Sequence, residues 1–89
     1  MRDLLLRPEE IIEVDLHRMP LWEARLVLED TVTQAPSYVK EIVVIHGFHK
    51  GQVLMNMVRK EFKHKRVKGI HIGMNNGETV LLLYERKNP

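Results

Sequence analysis

Residues Ile11-Ile12-Glu13-Val14-Asp15-Leu16-His17 alternate apolar and polar positions imperfectly, which predicts a first strand. Pro20 is suited to open a helix, because its missing N–H costs nothing there. Leu21, Ala24, Leu28, Val32 and Ala35 then recur at helical spacing, Trp22 and Val27 widen the apolar side, and Pro36 ends the helix. Tyr38 to Ile45 reads as a second strand, and its run Ile42-Val43-Val44-Ile45 is apolar without alternation. Such a run suits a strand covered on both faces or paired in parallel. A short loop follows, His46-Gly47-Phe48-His49-Lys50-Gly51, and then Val53, Leu54, Met57, Val58 and Phe62 predict a second amphipathic helix. Val67 to Ile72 alternates as a third strand. Gly73-Met74-Asn75-Asn76-Gly77-Glu78 is rich in turn formers, and Thr79 to Tyr84 is the last strand.

The order β-α-β-α-β-β predicts an α/β fold: a two-layer sandwich with helices packed on a four-stranded mixed sheet. Strand–helix–strand connections make the first three strands run the same way, and the short final loop turns the fourth back. His17 ends the first strand, His46 ends the second, and the Gly73–Glu78 loop leaves the third. All three should meet at one edge of the sheet, where open α/β sheets bind ligands.

Composition narrows the class. Eighty-nine residues with 44% hydrophobic content suit a single small domain, expected over residues 9–86 between tails at 1–8 and 87–89. No apolar run is long enough to span a bilayer, and Met1 to Pro8 is too short and too charged for a signal peptide. The absence of cysteine excludes disulfides, thiolate chemistry and Cys-based zinc sites, so a cytoplasmic location is expected. Charge is uneven. Residues 1–41 carry 5 Lys+Arg against 9 Asp+Glu, a net of −4, whereas residues 42–89 carry 9 against 3, a net of +6. The excess is densest from Arg59 to Lys68, and a basic block of this kind points to a polyanionic partner, nucleic acid first. The alternative is the solvated end of a helix, where Lys and Arg favour the negative dipole end.

Several residues have the chemistry for a site. Asp15 and His17 are two apart on a strand, so their side chains share a face. A carboxylate can orient an imidazole, raise its basicity or share a metal ion with it. The plainer reading is that Asp15 caps the next turn and His17 is merely exposed. His46 stands before Gly47 at a sharp turn, placed to contact a phosphate, to protonate a leaving oxygen, or only to orient the loop. Gly47 and Gly51 permit positive φ and close backbone approach to a ligand. Lys50-Gly51 reverses the order of a P-loop, and neither His-Glu-x-x-His nor an EF-hand loop is present. His49 extends His46 and His17 toward a metal site only by proximity, so a divalent metal is possible but not indicated, and no cofactor is assigned. The loop through Asn75, Asn76 and Gly77 is small and polar enough to let a backbone pass, or is simply a connection. His64 and His71 fall away from the predicted edge and carry no expected catalytic role.

Taken together these motifs resemble the Smr (small MutS-related) family. Val14-Asp15-Leu16-His17 looks like its Leu-Asp-Leu-His opening motif. Ile45 to Gly51, followed by Leu54 and Val58, resembles its second motif, an apolar strand ending in His-Gly-x-Gly. Gly73 to Val80 resembles its third, a Gly-rich loop ending in Thr before the closing strand. The likeness runs from about Ile12 to Tyr84. It implies an α/β sandwich similar to the C-terminal domain of translation initiation factor three, and binding to nucleic acid. For several members it implies endonuclease activity, nicking DNA or cleaving RNA. The family's catalytic and substrate-contacting positions fall here on Asp15, His17, His46 and Gly47. Two positions depart from the pattern: Arg18 stands where the family commonly has Gly, and His49 where a second Gly is usual. A larger side chain at these positions either narrows backbone access or adds phosphate contacts.

The expected function is thus an Smr-type endonuclease acting on DNA or RNA. Asp15 would orient or activate His17 as general base or as ligand of a metal-bound water, and His46 would contact or protonate the phosphate. Gly47, Gly51 and the helix start would cradle its charge, and Lys50, Lys60, Lys63, Lys65 and Arg66 would hold the flanking backbone. The alternatives are a non-catalytic DNA- or RNA-binding module and, beyond it, a small-molecule or protein-interaction domain. A monomer is the default, and no membrane is involved.

Overall fold

The computed structural model describes residues 6–48 and 52–85. A 3-10 turn at Pro8–Glu10 leads into β1 (Ile11–Asp15), followed by α1 (Leu21–Gln34), β2 (Glu41–Ile45), α2 (Gln52–Asn56), β3 (Val67–Ile72) and β4 (Glu78–Leu83). The helix of α2 continues as a π-helical turn over Met57–Glu61. The sheet order is β1-β2-β4-β3. β1 pairs with β2 in parallel, and β4 runs antiparallel to both β2 and β3. The expected α/β sandwich with a four-stranded mixed sheet is therefore present, and β1, β2 and β3 share one direction.

Both helices lie on the same face. Ile12, Ile42 and Leu81 are register partners, as are Val14, Val44 and Thr79, so their side chains point one way. On that side Ile42, Val44 and Leu81 pack with Ala24, Leu28 and Val32 of α1 and with Leu54, Met57 and Val58. Val43 and Val80 face the other way and are equally buried, which accounts for the unbroken apolar run of β2: this strand is central, flanked on both sides. β3 is an edge strand. Its Ile70 and Ile72 share the helix-side face with Leu81 and Thr79 yet are exposed, because they lie beyond the helices' cover. Trp22, expected on the apolar side of α1, is 67% exposed, and Leu26 one turn on is exposed beside it. Among the described residues, no helix is long and apolar enough to cross a membrane.

The ends of the elements follow local chemistry. Pro20 is the N-cap rather than the first helical residue, and α1 stops one residue short of Ala35, ahead of Pro36. Arg66 fixes this helix end from a distance. It was expected on the basic surface but is only 6% exposed. Its guanidinium donates to the carbonyls of Val32 in the last turn of α1, of Ala35 at its C-cap, and of Pro36 (2.6 Å) and Val39 (3.3 Å) in the segment that follows, where the helix has no N–H to offer. It is a fastening between the segment before β3 and the end of α1, and its charge is spent inside the fold.

The second helix also departs from simple periodicity. The Phe62 N–H bonds the Met57 carbonyl at 2.7 Å, five residues back. The extra residue in the turn buries the adjacent Met57 and Val58 together. It also places Arg59 against β4, where Nε donates to Thr79 Oγ1 at 2.7 Å and an NH2 proton to the Glu78 carbonyl at 3.1 Å.

Candidate functional site

The three loops anticipated at one sheet edge do meet there, laced by backbone hydrogen bonds. The amides of His46 and Gly47 both donate to the Gly77 carbonyl, at 2.9 and 3.1 Å. The Leu16 amide donates to the Ile45 carbonyl at 2.7 Å, extending the β1–β2 pairing to the doorstep of His17. Gly47 has φ +82, the left-handed region that favours glycine; a Cβ there would be in ordinary contact, 3.5 Å, with that of His17, so the backbone conformation and not the space asks for glycine. Gly73 is required for a different reason: a Cβ would meet that of Glu78 at 2.5 Å.

Asp15 and His17 are joined. Asp15 Oδ1 accepts the His17 backbone N–H at 3.0 Å and lies 2.5 Å from His17 Nδ1. A carboxylate only accepts, so Nδ1 carries the proton and Nε2 is the nitrogen left for chemistry. The ring bond and then the backbone bond hold the Asp15 carboxyl below the usual carboxylate range, so it is ionised at neutral pH. Both side chains are about half exposed. Arg18, next in the chain, is exposed and has φ +69, the left-handed region that favours glycine.

His46 lies close by in the chain fold but is inside, 1% exposed. Its Nδ1–H donates to the Gly47 carbonyl at 2.8 Å, and its Nε2 accepts from Thr79 Oγ1 at 2.9 Å, which in turn accepts from Arg59. Burial lowers its pKa. The charge of Arg59 acts the same way, while the Gly47 carbonyl and Glu78 oppose it, so the ring is neutral. Arg59 and Thr79 thus tie α2 and β4 to the loop through His46. Neither was singled out as a site residue, and only the π-helical turn reveals why Arg59 reaches β4.

The loops enclose a depression of about 870 Å³ whose lining includes His17, Arg18, Met19, Leu21, Phe48 and Val53. A second one of about 410 Å³ lies between Phe48 and the loop carrying Asn75, Asn76 and Gly77. Asn75 Oδ1 accepts the Gly77 N–H at 2.8 Å and so shapes its own loop, whereas Asn76 is exposed.

Other anticipated residues fall elsewhere. The Gly47 amide is taken by Gly77 and is not free to cradle an anion. Lys60, Lys63 and Lys65 are exposed, but Lys63 and Lys65 follow α2 at the end of the sheet where β3 begins. That end is about 17 Å from the histidine loops, the length of five to six strand residues. His64 is a structural residue, with Nδ1 accepting the Arg66 N–H at 3.0 Å and Nε2 3.2 Å from Thr33 Oγ1. His49, Lys50 and Gly51 lie outside the described residues. Among the described residues, no group of three His, Asp or Glu side chains is placed to hold a metal ion.

This geometry is similar to that of a solved structure, the Smr domain of Thermus thermophilus MutS2. The two share 25% sequence identity with a TM-score of 0.73, over 82% of this chain and 98% of that one. The chain has the fold of an Smr domain. No family model and no curated protein matches the sequence. The Smr likeness gives the departure at Arg18 a physical meaning: the backbone there has the conformation for which the family's usual Gly is suited, and here an arginine is held in it.

Proposed function

We propose that this Smr domain binds nucleic acid and hydrolyses its phosphodiester backbone as an endonuclease. The observation that carries the reading is the Asp15–His17 pair, joined at 2.5 Å beside Arg18 on the rim of the 870 Å³ depression. In this reading Asp15 is a positioning residue that fixes the tautomer of His17. His17 Nε2 takes a proton from the attacking water as its oxygen bonds to phosphorus. The P–O ester bond breaks and the departing oxygen is protonated from solvent. Arg18 lies one residue away to neutralise the charge that builds on the phosphoryl oxygens. His46, neutral and buried, is assigned a positioning role: it braces the Gly47 turn against Thr79 and Arg59. Lys60, Lys63 and Lys65 hold backbone running beyond the site, so affinity falls steeply with salt.

The test is incubation with supercoiled plasmid and with structured RNA, with and without magnesium, beside Asp15→Ala and His17→Ala. The expected outcome is nicked DNA or cleaved RNA from wild type and its loss in both variants. Identical products from all three proteins would refute the catalytic assignment. Salt-sensitive binding with no cleavage would instead identify a non-catalytic binding module.

A further inference from the structure

The lining of the larger depression asks for more than a phosphate. A backbone contact needs cations and N–H donors, which Arg18 and His17 supply at its rim, yet its walls are the apolar side chains of Met19, Leu21, Phe48 and Val53. Phe48 is 52% exposed and Val53 is exposed too, so neither is spent on the core. Phe48 also lines the smaller depression, as does Gly47, so this turn borders both. A planar apolar ring within one loop of a cation and an imidazole matches the alternation of a nucleotide: a base for the ring, a phosphate for Arg18 and His17. In a duplex the base faces are buried in their own stack and are not offered to a side chain.

We infer that the depression is a base-binding subsite, in which an unpaired nucleobase stacks on Phe48 while its phosphate lies at His17 and Arg18. The inference rests on the nucleic-acid reading above and specifies its substrate: a single strand, or the unpaired part of a structured one. Because base stacking tolerates any base, the subsite selects for strandedness and not for sequence.

Fluorescence anisotropy tests this with labelled pyrimidine strands, as both RNA and DNA. Each is offered alone, annealed to its complement, and as a chain of abasic residues. Wild type should bind the single strand in preference to the duplex and to the abasic chain. Phe48→Ala should weaken single-strand binding roughly ten- to a hundredfold and leave duplex and abasic binding within about twofold. Phe48→Trp should retain the preference, and Phe48→Leu, apolar but not planar, should lose it. Phe48 is outside the core, so circular dichroism should report the same fold for all variants. Equal wild-type affinity for single strand and duplex, or an equal loss on all three ligands in Phe48→Ala, overturns the subsite. If duplex is still cleaved in an Asp15-dependent way, the endonuclease reading stands and only the subsite falls. Binding to none of the ligands overturns both.

Discussion

Replacing Arg18 by glycine should make the protein more stable and a poorer ligand for nucleic acid at once. Arg18 holds φ +69. For an L-residue the left-handed region costs about 1–2 kcal/mol, because Cβ crowds the following carbonyl. Glycine avoids that clash but loses about 0.5–1 kcal/mol more to backbone entropy on folding. Taken at the middle of both ranges, the difference is a net gain of about 0.75 kcal/mol for Arg18→Gly. With an unfolding entropy near 2.1 cal/mol/K per residue over 89 residues, the Tm should rise by about 3–5 °C. The guanidinium is lost in the same step. If it contacts one phosphate, the plot of log affinity against log salt should flatten by about 0.7 for a single strand. Thermal denaturation followed by circular dichroism and a salt titration of binding read the two effects separately. A lowered Tm would show that the left-handed turn is not strained. An unchanged salt slope would remove Arg18 from the phosphate site.

The buried basic residues should behave differently. Arg66→Ala should leave the carbonyls of Val32, Ala35 and Val39 without this donor and that of Pro36 with only the Val39 N–H, at a cost of about 1–3 kcal/mol for each acceptor left buried and unsatisfied, read as a lowered urea midpoint. That is a large share of the roughly 4–13 kcal/mol a domain of this length has. A wild-type midpoint with a flattened salt slope would return Arg66 to the surface. For His46, burial lowers the folded-state pKa below the ordinary 6.5, so the unfolded chain binds more protons near that pH. Its contribution is complete above about pH 6.5 and is lost as pH falls through the lowered value, with a slope of at most about 1.4 kcal/mol per pH unit for one proton. Urea melts from pH 5 to 8 should show that slope in wild type and a flatter one in His46→Gln; equal slopes would refute the assignment. Asp15 acts in a separate window. Its lowered pKa contributes stability above about pH 3.8 that is lost on further acidification.

The strands, the helices and their order were legible in the pattern of apolar positions, because a period of two or 3.6 is imposed by the backbone itself. The meeting of the His17, His46 and Gly77 loops was legible as well, since strand–helix–strand connections point the strands' ends one way. So was the Asp15–His17 pair, which needs only two residues of the same chain segment. The fate of each polar side chain was not. His46 and Arg66 are the same residue types as His17 and Arg18, yet two are buried and bonded and two stand exposed. Only the tertiary structure brings Thr79 and Arg59 to His46, and the carbonyls at and just after the end of α1 to Arg66. The left-handed turn at Arg18 and the apolar walls that Met19, Leu21, Phe48 and Val53 share were likewise decided there. Periodicity records which side of an element faces inward. Which donor finds which acceptor depends on residues thirty positions apart, and is settled when the elements pack.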